Sequence, residues 1–406
     1  MTGHRRLRVL VLSRSYPSDV LSTLGLWVEQ PTVLLAERCD LQVVSPIPYF
    51  PPLPAVGPLR QYVRFRRIPK SETRRGIAVR RPRFLAGPGR SLYAYEARAQ
   101  ELGIRRAVDR LHADFPFDLI HAHMIYPEGA VAHRLSQRYG VPFVVSEHAP
   151  WTERWFRRTR VRREALAAAR AASFLLPVST SVRRTMAAYG IDDDRMHVVP
   201  VGVDGDVFRP GRPEDRRDGQ VLYVGWINYT KGIDVLLRAM DLLRRRASPA
   251  RLVLVGGALY RHTRLQEEKL RRLADSLGLE DSVTFVGRKP QHEVARMMAE
   301  SAVVVLPSRA ESFGAVLVEA LACGTPVVAT RCGGPEDIVV DGVGVLVSPE
   351  DSEGLADGIS QFLGYRTDYE GGRLREHALS NFGLDVVTDR LFDVYNGEQS
   401  HADQLA

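Results

Sequence analysis

The chain has 406 residues, a length that fits two domains of roughly 200 residues each and excludes a single small module. Hydrophobic residues make up 45% and charged residues 26%, enough to bury a core in each half, which excludes disorder as the main state. The net charge of +8 hides an asymmetry: 52 of the 56 basic residues are arginine, residues 1–200 carry +15, and the rest carries −7. Such an excess fits an anionic partner (nucleic acid, a membrane surface or a phosphorylated substrate) or simply an arginine-rich genome. Cys39, Cys323 and Cys332 form no C-x-x-C pair, so neither a disulfide framework nor a cysteine zinc site is expected, and the thiols read as those of a reduced, cytoplasmic protein. The first apolar run, VLVL, is too short for a signal-peptide core. No stretch approaches 18 consecutive apolar residues, so any membrane contact is expected to be peripheral.

In chain order, apolar strand-like runs alternate with helical patterns, the signature of parallel sheets built from strand-helix-strand units. The first half gives strands at 8–12, 41–45, 117–123, 142–146, 173–179 and 197–201, with helices around 25–37, 91–111, 128–139, 160–171 and 180–189. Residues 46–90 break this pattern with Pro-rich and Arg-rich sequence and read as an irregular surface excursion. A second series has strands at 221–225, 251–257, 282–287, 302–308, 325–330 and 343–348. Between the two series, VGVDGDVFRPGRPEDRRDGQ is rich in Gly, Pro and charge and empty of hydrophobic periodicity, which marks a domain boundary. The expected fold class is α/β, with two doubly wound Rossmann-like domains facing a cleft. Residues 1–202 form the first domain, 203–218 a linker, 219–380 the second domain, and 381–406 a helix and tail whose helix packs back on the first domain. Ligands are expected in the cleft, at the carboxyl ends of the strands.

The segment LPSRAESFGAVLVEALACGTPVVAT, residues 306–330, carries the most chemistry. A buried strand ends at Pro307, a loop of small residues follows, and a helix starts near Gly314. The unpaired N–H groups at that helix start sit at the positive end of its dipole and suit phosphate or sugar hydroxyls. Glu311 lies in the loop and Glu319 eight positions later on the helix, each a carboxylate able to accept the paired hydroxyls of a ribose or hexose. Glu319 is flanked by Leu317, Val318, Ala320 and Leu321, a setting that makes a lone carboxylate costly unless it has a partner.

The Glu-x7-Glu spacing, the Ser-Phe-Gly after Glu311 and the EALACGTPVVAT that follows resemble the nucleotide-sugar site of the family-4 retaining glycosyltransferases of GT-B fold. The resemblance implies that Glu311, Ser312, Phe313, Gly314 and Ala315 hold the donor sugar and that Glu319 holds the ribose. In LYVGWINYTKG, Gly225 resembles the family's glycine turn and Lys231 its diphosphate-binding lysine. Trp226 departs from the pattern, since many members have arginine there. Arg288, in FVGRKP, resembles the contact to the nucleotide base, and CGGPEDIV resembles a glycine pair before a short helix whose role is as readily structural. In the first half, Gly25 matches a glycine-bearing loop near the donor phosphate, and His148, in SEHAP, matches a histidine lying against the donor sugar.

His121 and His123 alternate on one strand without a third ligand at sensible spacing, and the family needs no metal. The run WTERWFRRTRVRRE interleaves Trp151, Trp155 and Phe156 with six arginines from Arg154 to Arg163. It suits either a basic aromatic surface for anionic lipid headgroups or a helix that packs its aromatics inward. The expected activity is therefore retaining transfer of a hexosyl unit from a nucleotide-sugar, UDP-sugar before GDP-sugar, to a hydroxyl of a glycan, lipid-linked or small-molecule acceptor in cell-envelope polysaccharide or glycolipid synthesis. Glu311, His148 and Lys231 stand at its centre. No metal or cofactor is expected, no nucleic-acid partner either, and the location is cytoplasmic or on the inner face of a membrane. The competing readings are a nucleotide-sugar epimerase of the same fold and a basic protein binding nucleic acid or membrane, against which the acidic second half and the Glu pair both speak.

Overall fold

Short apolar runs separated by helices pair in parallel, and each crossover helix covers one face of the sheet it joins. The computed structural model describes residues 5–21, 24–49, 60–87, 91–257, 261–363 and 371–405. It divides into two compact units, Met1–Pro200 with Val387–Ala406, and Val201–Val386.

The first unit contains β1 (Arg8–Leu12), β2 (Asp40–Val44), β3 (Ile47–Tyr49), β4 (Ser71–Arg74), β5 (Ile77–Arg80), β6 (Arg83–Leu85), β7 (Leu119–His123), β8 (Phe143–Glu147) and β9 (Phe174–Pro177). Seven of these form one sheet in the order β4-β5-β2-β1-β7-β8-β9, parallel except at β4, while β3 and β6 pair separately. The second unit has β10 (Arg217–Trp226), β11 (Arg251–Gly257), β12 (Val283–Gly287), β13 (Ser301–Leu306), β14 (Val327–Thr330) and β15 (Gly344–Val347), all parallel in the order β12-β11-β10-β13-β14-β15. In both sheets the chain steps outward from the first central strand and then returns to its other flank. The strand order thus reverses between β1 and β7 and between β10 and β13, where such sheets open a crevice at their carboxyl ends.

Burial follows from this layering. β7, β8 and β13 are buried along their whole length. The helix Ile233–Arg245 sinks Ile233, Leu236, Leu237, Met240 and Leu243 into the second core, each aliphatic side chain contributing roughly 1.5–3 kcal/mol. The helix Leu384–Leu405 sends Val387, Leu391, Val394 and Tyr395 into the first core beside Val9, Val11, Val43 and Leu119.

Three expectations need correction. The stretch 46–90 is not an irregular excursion where it is described: it holds β3 to β6 and the helix Arg60–Arg66, and β4 and β5 extend the main sheet (50–59 and 88–90 lie outside the described residues). Its strand period was hidden because β3 to β6 are only three or four residues each, too short to show alternation, as in IAVR with Ile77 and Val79 buried. Arg75 and Gly76, with φ of 49° and 82°, close β4–β5 as a two-residue primed turn without the usual asparagine. Residues 197–201 form no strand. Pro177 and Pro200 have no N–H to give, so the segment follows β9 through two spaced bonds, His197 N to Leu175 O (3.0 Å) and Val199 N to Pro177 O (3.0 Å). Finally, 203–218 is not a free tether: Val203 and Phe208 are buried, β10 already starts at Arg217, and Arg375 donates to the carbonyls of Gly205 (2.8 Å) and Phe208 (2.7 Å).

Candidate functional site

At the reversal point of the second sheet, the loops after β10 and β13 lie in backbone contact. Gly232, with φ +61°, has no room for a side chain, because a Cβ there falls 1.9 Å from the carbonyl oxygen of Pro307. Arg309 N donates to Thr230 O at 2.8 Å. This contact brings Lys231 and Glu311 together: the Lys231 ammonium pairs directly with the Glu311 carboxylate, which also accepts from Ser308 Oγ (3.2 Å). Glu311 is fixed at its main chain as well, donating to Cys332 O (3.2 Å) and accepting from Gly334 N (2.9 Å). Gly334 must be glycine, since a Cβ there lies 2.2 Å from Phe313 Cα, so CGGPEDIV serves to buttress the Glu311 loop.

Gly314, at φ +99°, caps the helix Ala315–Ala322. Phe313 is buried edge-on against Phe382, and Ser312 and Ala315 are half-buried at the helix start. Glu319 is half-buried in the fifth position of the helix, where burial pushes its carboxyl up to about 8. Its carboxyl has no hydrogen-bond or ion-pair partner among the described residues. Gly225 is not a turn, as the sequence suggested. It sits within β10 in register with Gly256, whose absent Cβ (1.8 Å from Gly225 O) lets the strands run on to Trp226 and Gly257. Arg288 is exposed after β12 and stacks its guanidinium 4.3 Å from the Trp226 ring centroid, so the departure at 226 is a platform for a neighbouring arginine.

In the first unit, Gly25 caps the helix Leu26–Leu35 at φ +86°, with a would-be Cβ 1.9 Å from Ser15 O. His148 follows β8 and is half-buried, its Nε2 3.1 Å from His123 Nδ1 and its ring stacked on that of His123. His121 stacks on the other side and bonds Tyr395 Oη (2.6 Å) and Ser146 Oγ (2.8 Å). Burial lowers His148 to about 4 and His121 to about 3, so these imidazoles are neutral at pH 7. Among the described residues no group of three or more His, Cys, Asp or Glu is arranged to hold a metal ion.

The basic run packs its aromatics inward. Trp151 and Phe156 are buried, Trp155 Nε1 donates to Tyr93 Oη (3.1 Å), and Arg157, Arg158, Arg162 and Arg163 remain exposed (the side chain of Arg154 lies outside the described set). No helix among the described residues is long and apolar enough to cross a membrane.

Sequence reasoning passed over two residues. Glu147, directly before His148, is fully buried and gathers three donors: Ile125 N (3.0 Å), Ala149 N (3.0 Å) and Trp151 Nε1 (3.2 Å). A carboxylate closing the apolar strand FVVS was the available signal. Arg309, hidden in a loop read for its acids, had none, because its partners are remote in sequence.

Residues 206–371 match the family described as glycosyl transferases group 1, and residues 34–207 match glycosyltransferase family 4. A D-inositol 3-phosphate glycosyltransferase of Thermomonospora curvata is 34% identical over 83% of this chain and 85% of its own length. One of Frankia alni is 38% identical over 61% of this chain and 66% of its own. In fold, the chain is similar to Anabaena HepE in complex with UDP (TM-score 0.74, 21% identity, 96% of this chain and 100% of that one). It is similar also to sucrose-phosphate synthase from Thermosynechococcus elongatus (TM-score 0.79, 21% identity, 98% and 100%). With two nucleotide-binding-type sheets and relatives matched over most of their length, the chain belongs to the family-4, group-1 glycosyltransferases of GT-B fold.

Proposed function

We propose that the protein transfers a hexosyl unit from a UDP-sugar to a hydroxyl of an anionic acceptor, with retention at the anomeric carbon and without a metal ion. The observation that carries this reading is the Lys231–Glu311 pair in front of the Gly314-capped helix that bears Glu319. When donor binds, the Lys231 ammonium exchanges Glu311 for the diphosphate, freeing Glu311 to accept from sugar hydroxyls. The helix-start amides at Phe313 and Gly314 face the same group, and Glu319 accepts from the ribose diol. The neutral His148 imidazole contacts the sugar. In a front-face substitution the bond from the anomeric carbon to the diphosphate oxygen breaks as the acceptor oxygen bonds on the same side, and the departing diphosphate takes the acceptor's proton. Lys231 stabilises the charge that develops on that leaving group.

A UDP donor is supported by the solved HepE complexes, which hold UDP and UDP-glucose. An anionic acceptor is supported by the +15 charge of residues 1–200, by the exposed arginines of the 157–163 run, and by relatives named for D-inositol 3-phosphate. These names favour a phosphorylated small molecule; the alternative in the same chemistry is a lipid-linked phosphate of envelope glycan synthesis, met at the inner face of a membrane. Donor identity is tested with a panel of UDP- and GDP-sugars read as ligand-induced stabilisation. Lys231→Ala and Glu319→Ala are expected to lose transfer while staying folded, and near-normal turnover in both refutes the assignment. Neutralising Arg157, Arg158, Arg160, Arg162 and Arg163 together tests the lipid arm: loss of binding to anionic vesicles supports it, while unchanged vesicle binding shows that these arginines are not the acceptor surface and leaves the acceptor open.

A further inference from the structure

Arg309 saturates its guanidinium. Nη1 donates to Tyr229 O (2.6 Å) and Asp234 Oδ1 (2.9 Å), Nη2 to Asp234 Oδ2 (2.8 Å) and Glu350 Oε2 (3.0 Å), and Nε to Glu350 Oε1. All five N–H donors are therefore engaged, an arrangement only the planar fork of arginine can make. The guanidinium also lies 4.0 Å from the ring centroid of Tyr229, itself largely exposed. Glu350 meets Arg309 from a backbone at φ +64°, a conformation costly for a side-chain-bearing residue and sustained by surrounding contacts.

What this hub joins is informative. Tyr229 and Thr230 belong to the short 3-10 turn that ends in Lys231, Asp234 lies in the first turn of the following helix, and Arg309 is two residues before Glu311. A turn this short, closing on Gly232 in a left-handed conformation, has few bonds of its own: Lys231 N to Asn228 O (3.2 Å), Gly232 N to Tyr229 O (3.3 Å) and Thr230 Oγ1 to Asn228 Oδ1 (2.6 Å). Its placement against the Glu311 loop therefore depends on bonds from outside, and Arg309 supplies most of them.

We infer that Arg309 is a positioning residue: by clamping the Tyr229–Lys231 turn, Asp234 and Glu350 to the 308–314 loop, it sets the Lys231 ammonium where the donor's diphosphate must arrive. This rests on the reading of Lys231 as the diphosphate-binding residue. Arg309 touches no substrate; it acts by sparing the donor the cost of ordering the turn, and misplacement of a reacting group by about 1 Å can cost roughly 100-fold.

The test is a double-mutant cycle on the full chain, with UDP and GDP binding read by titration calorimetry and turnover measured with the matching sugar donor. Arg309→Ala is expected to weaken nucleotide binding about tenfold or more and to lower kcat, whereas the Arg309→Ala/Lys231→Ala double variant is expected to bind no worse than Lys231→Ala alone. Arg309→Lys keeps the charge and most of the stem, so its fold is the safer one; with at most three donors it is expected to recover little of the loss. The proposal is overturned if Arg309→Ala and Arg309→Lys both bind as the parent does, or if the Arg309 and Lys231 effects simply add. If Lys231→Ala itself leaves nucleotide binding intact, the diphosphate reading fails and the positioning role fails with it, a pattern distinct from the other two.

Discussion

Glu147 offers the sharpest quantitative test of the first unit. Its carboxylate is fully buried and accepts from Ile125 N and Trp151 Nε1 at Oε2 and from Ala149 N at Oε1. Burial pushes its pKa up to about 7 although the three donors oppose the shift. In the unfolded chain a glutamate titrates near 4.3, so between that value and 7 the folded state binds more protons. Stability from this group is therefore complete below the unfolded value and is lost as pH rises through the folded one, by on the order of 3 kcal/mol in total. Glu147→Gln removes the titration but turns an –NH2 donor toward one of the three N–H groups, costing roughly 1–3 kcal/mol at every pH. The difference between parent and variant should then be largest at pH 5, with the parent more stable, and should shrink or reverse by pH 8. Urea unfolding followed by tryptophan fluorescence at pH 5, 6, 7 and 8 measures it, with Trp27, Trp151 and Trp155 in the same unit as reporters. The flanking imidazoles titrate in both proteins and cancel in the difference. A gap that stays constant across this range would show that Glu147 is ionised throughout and would refute the burial argument.

Two further predictions concern the second unit, with a control from the first. Gly232→Ala combines a left-handed backbone with a Cβ driven into Pro307 O, so it should destabilise by about 2–5 kcal/mol, measured by urea midpoint. Gly76→Ala shares the positive φ but has nothing within 4 Å, so only about 1 kcal/mol of strain is expected, and equal losses at both sites would refute the close approach at Gly232. On the proposed reading Glu319, raised to about 8 by burial, accepts from both ribose hydroxyls best once ionised, so UDP affinity should rise with pH up to about 8 and binding should release protons. Glu319→Gln should flatten that profile, and an unchanged slope in the variant would locate the titration elsewhere.

Much of the architecture was legible because its cause is local. Strands β8, β10, β11 and β13 carry branched-apolar runs; β8 and β13 are buried along their whole length, and β10 and β11 bury their apolar centres, with Val221, Leu222 and Tyr223 in one and Leu252, Leu254 and Val255 in the other. The strands β4 and β5 were not legible, because all four residues of β4 are polar, β5 is only four residues long, and the hairpin turn is Arg75-Gly76. The Glu311 loop and its helix could be placed from sequence since a strand end, a glycine and an acid lie within ten residues of one another. The ion pair of Glu311 with Lys231 could not, since eighty positions separate them and only the reversal of strand order at β10 and β13 brings them together. The same holds for Gly225, where the glycine is required by the neighbouring strand, through Gly256, and not by a turn in its own.

The charge asymmetry acquires a physical meaning only at this level. The unit that bears Lys231, Glu311 and Glu319 comes from the half of the chain with net charge −7, so bulk attraction does not draw a doubly charged diphosphate to it. On the proposed reading Lys231, already held by Glu311, supplies the local charge beside the helix-start amides, and an exposed, mobile ammonium in water is worth little at such a task. Constraint is what makes a single charge effective: the turn that carries Lys231 is closed by Gly232, pressed against Pro307 and bonded through Arg309 to Asp234 and Glu350. The acids around Arg309 account for part of the negative balance of this half, spent on orienting an arginine rather than on repelling a nucleotide. In the other half four of the five arginines of the 157–163 run are exposed, while Trp151 and Phe156 just before them are buried. Charge there is diffuse and screened over about 8–10 Å in physiological salt, which suits capture of an anionic acceptor, whereas the donor depends on geometry. Raising ionic strength should therefore increase the apparent KM for the acceptor more than that for the donor, and an equal increase for both would refute this division.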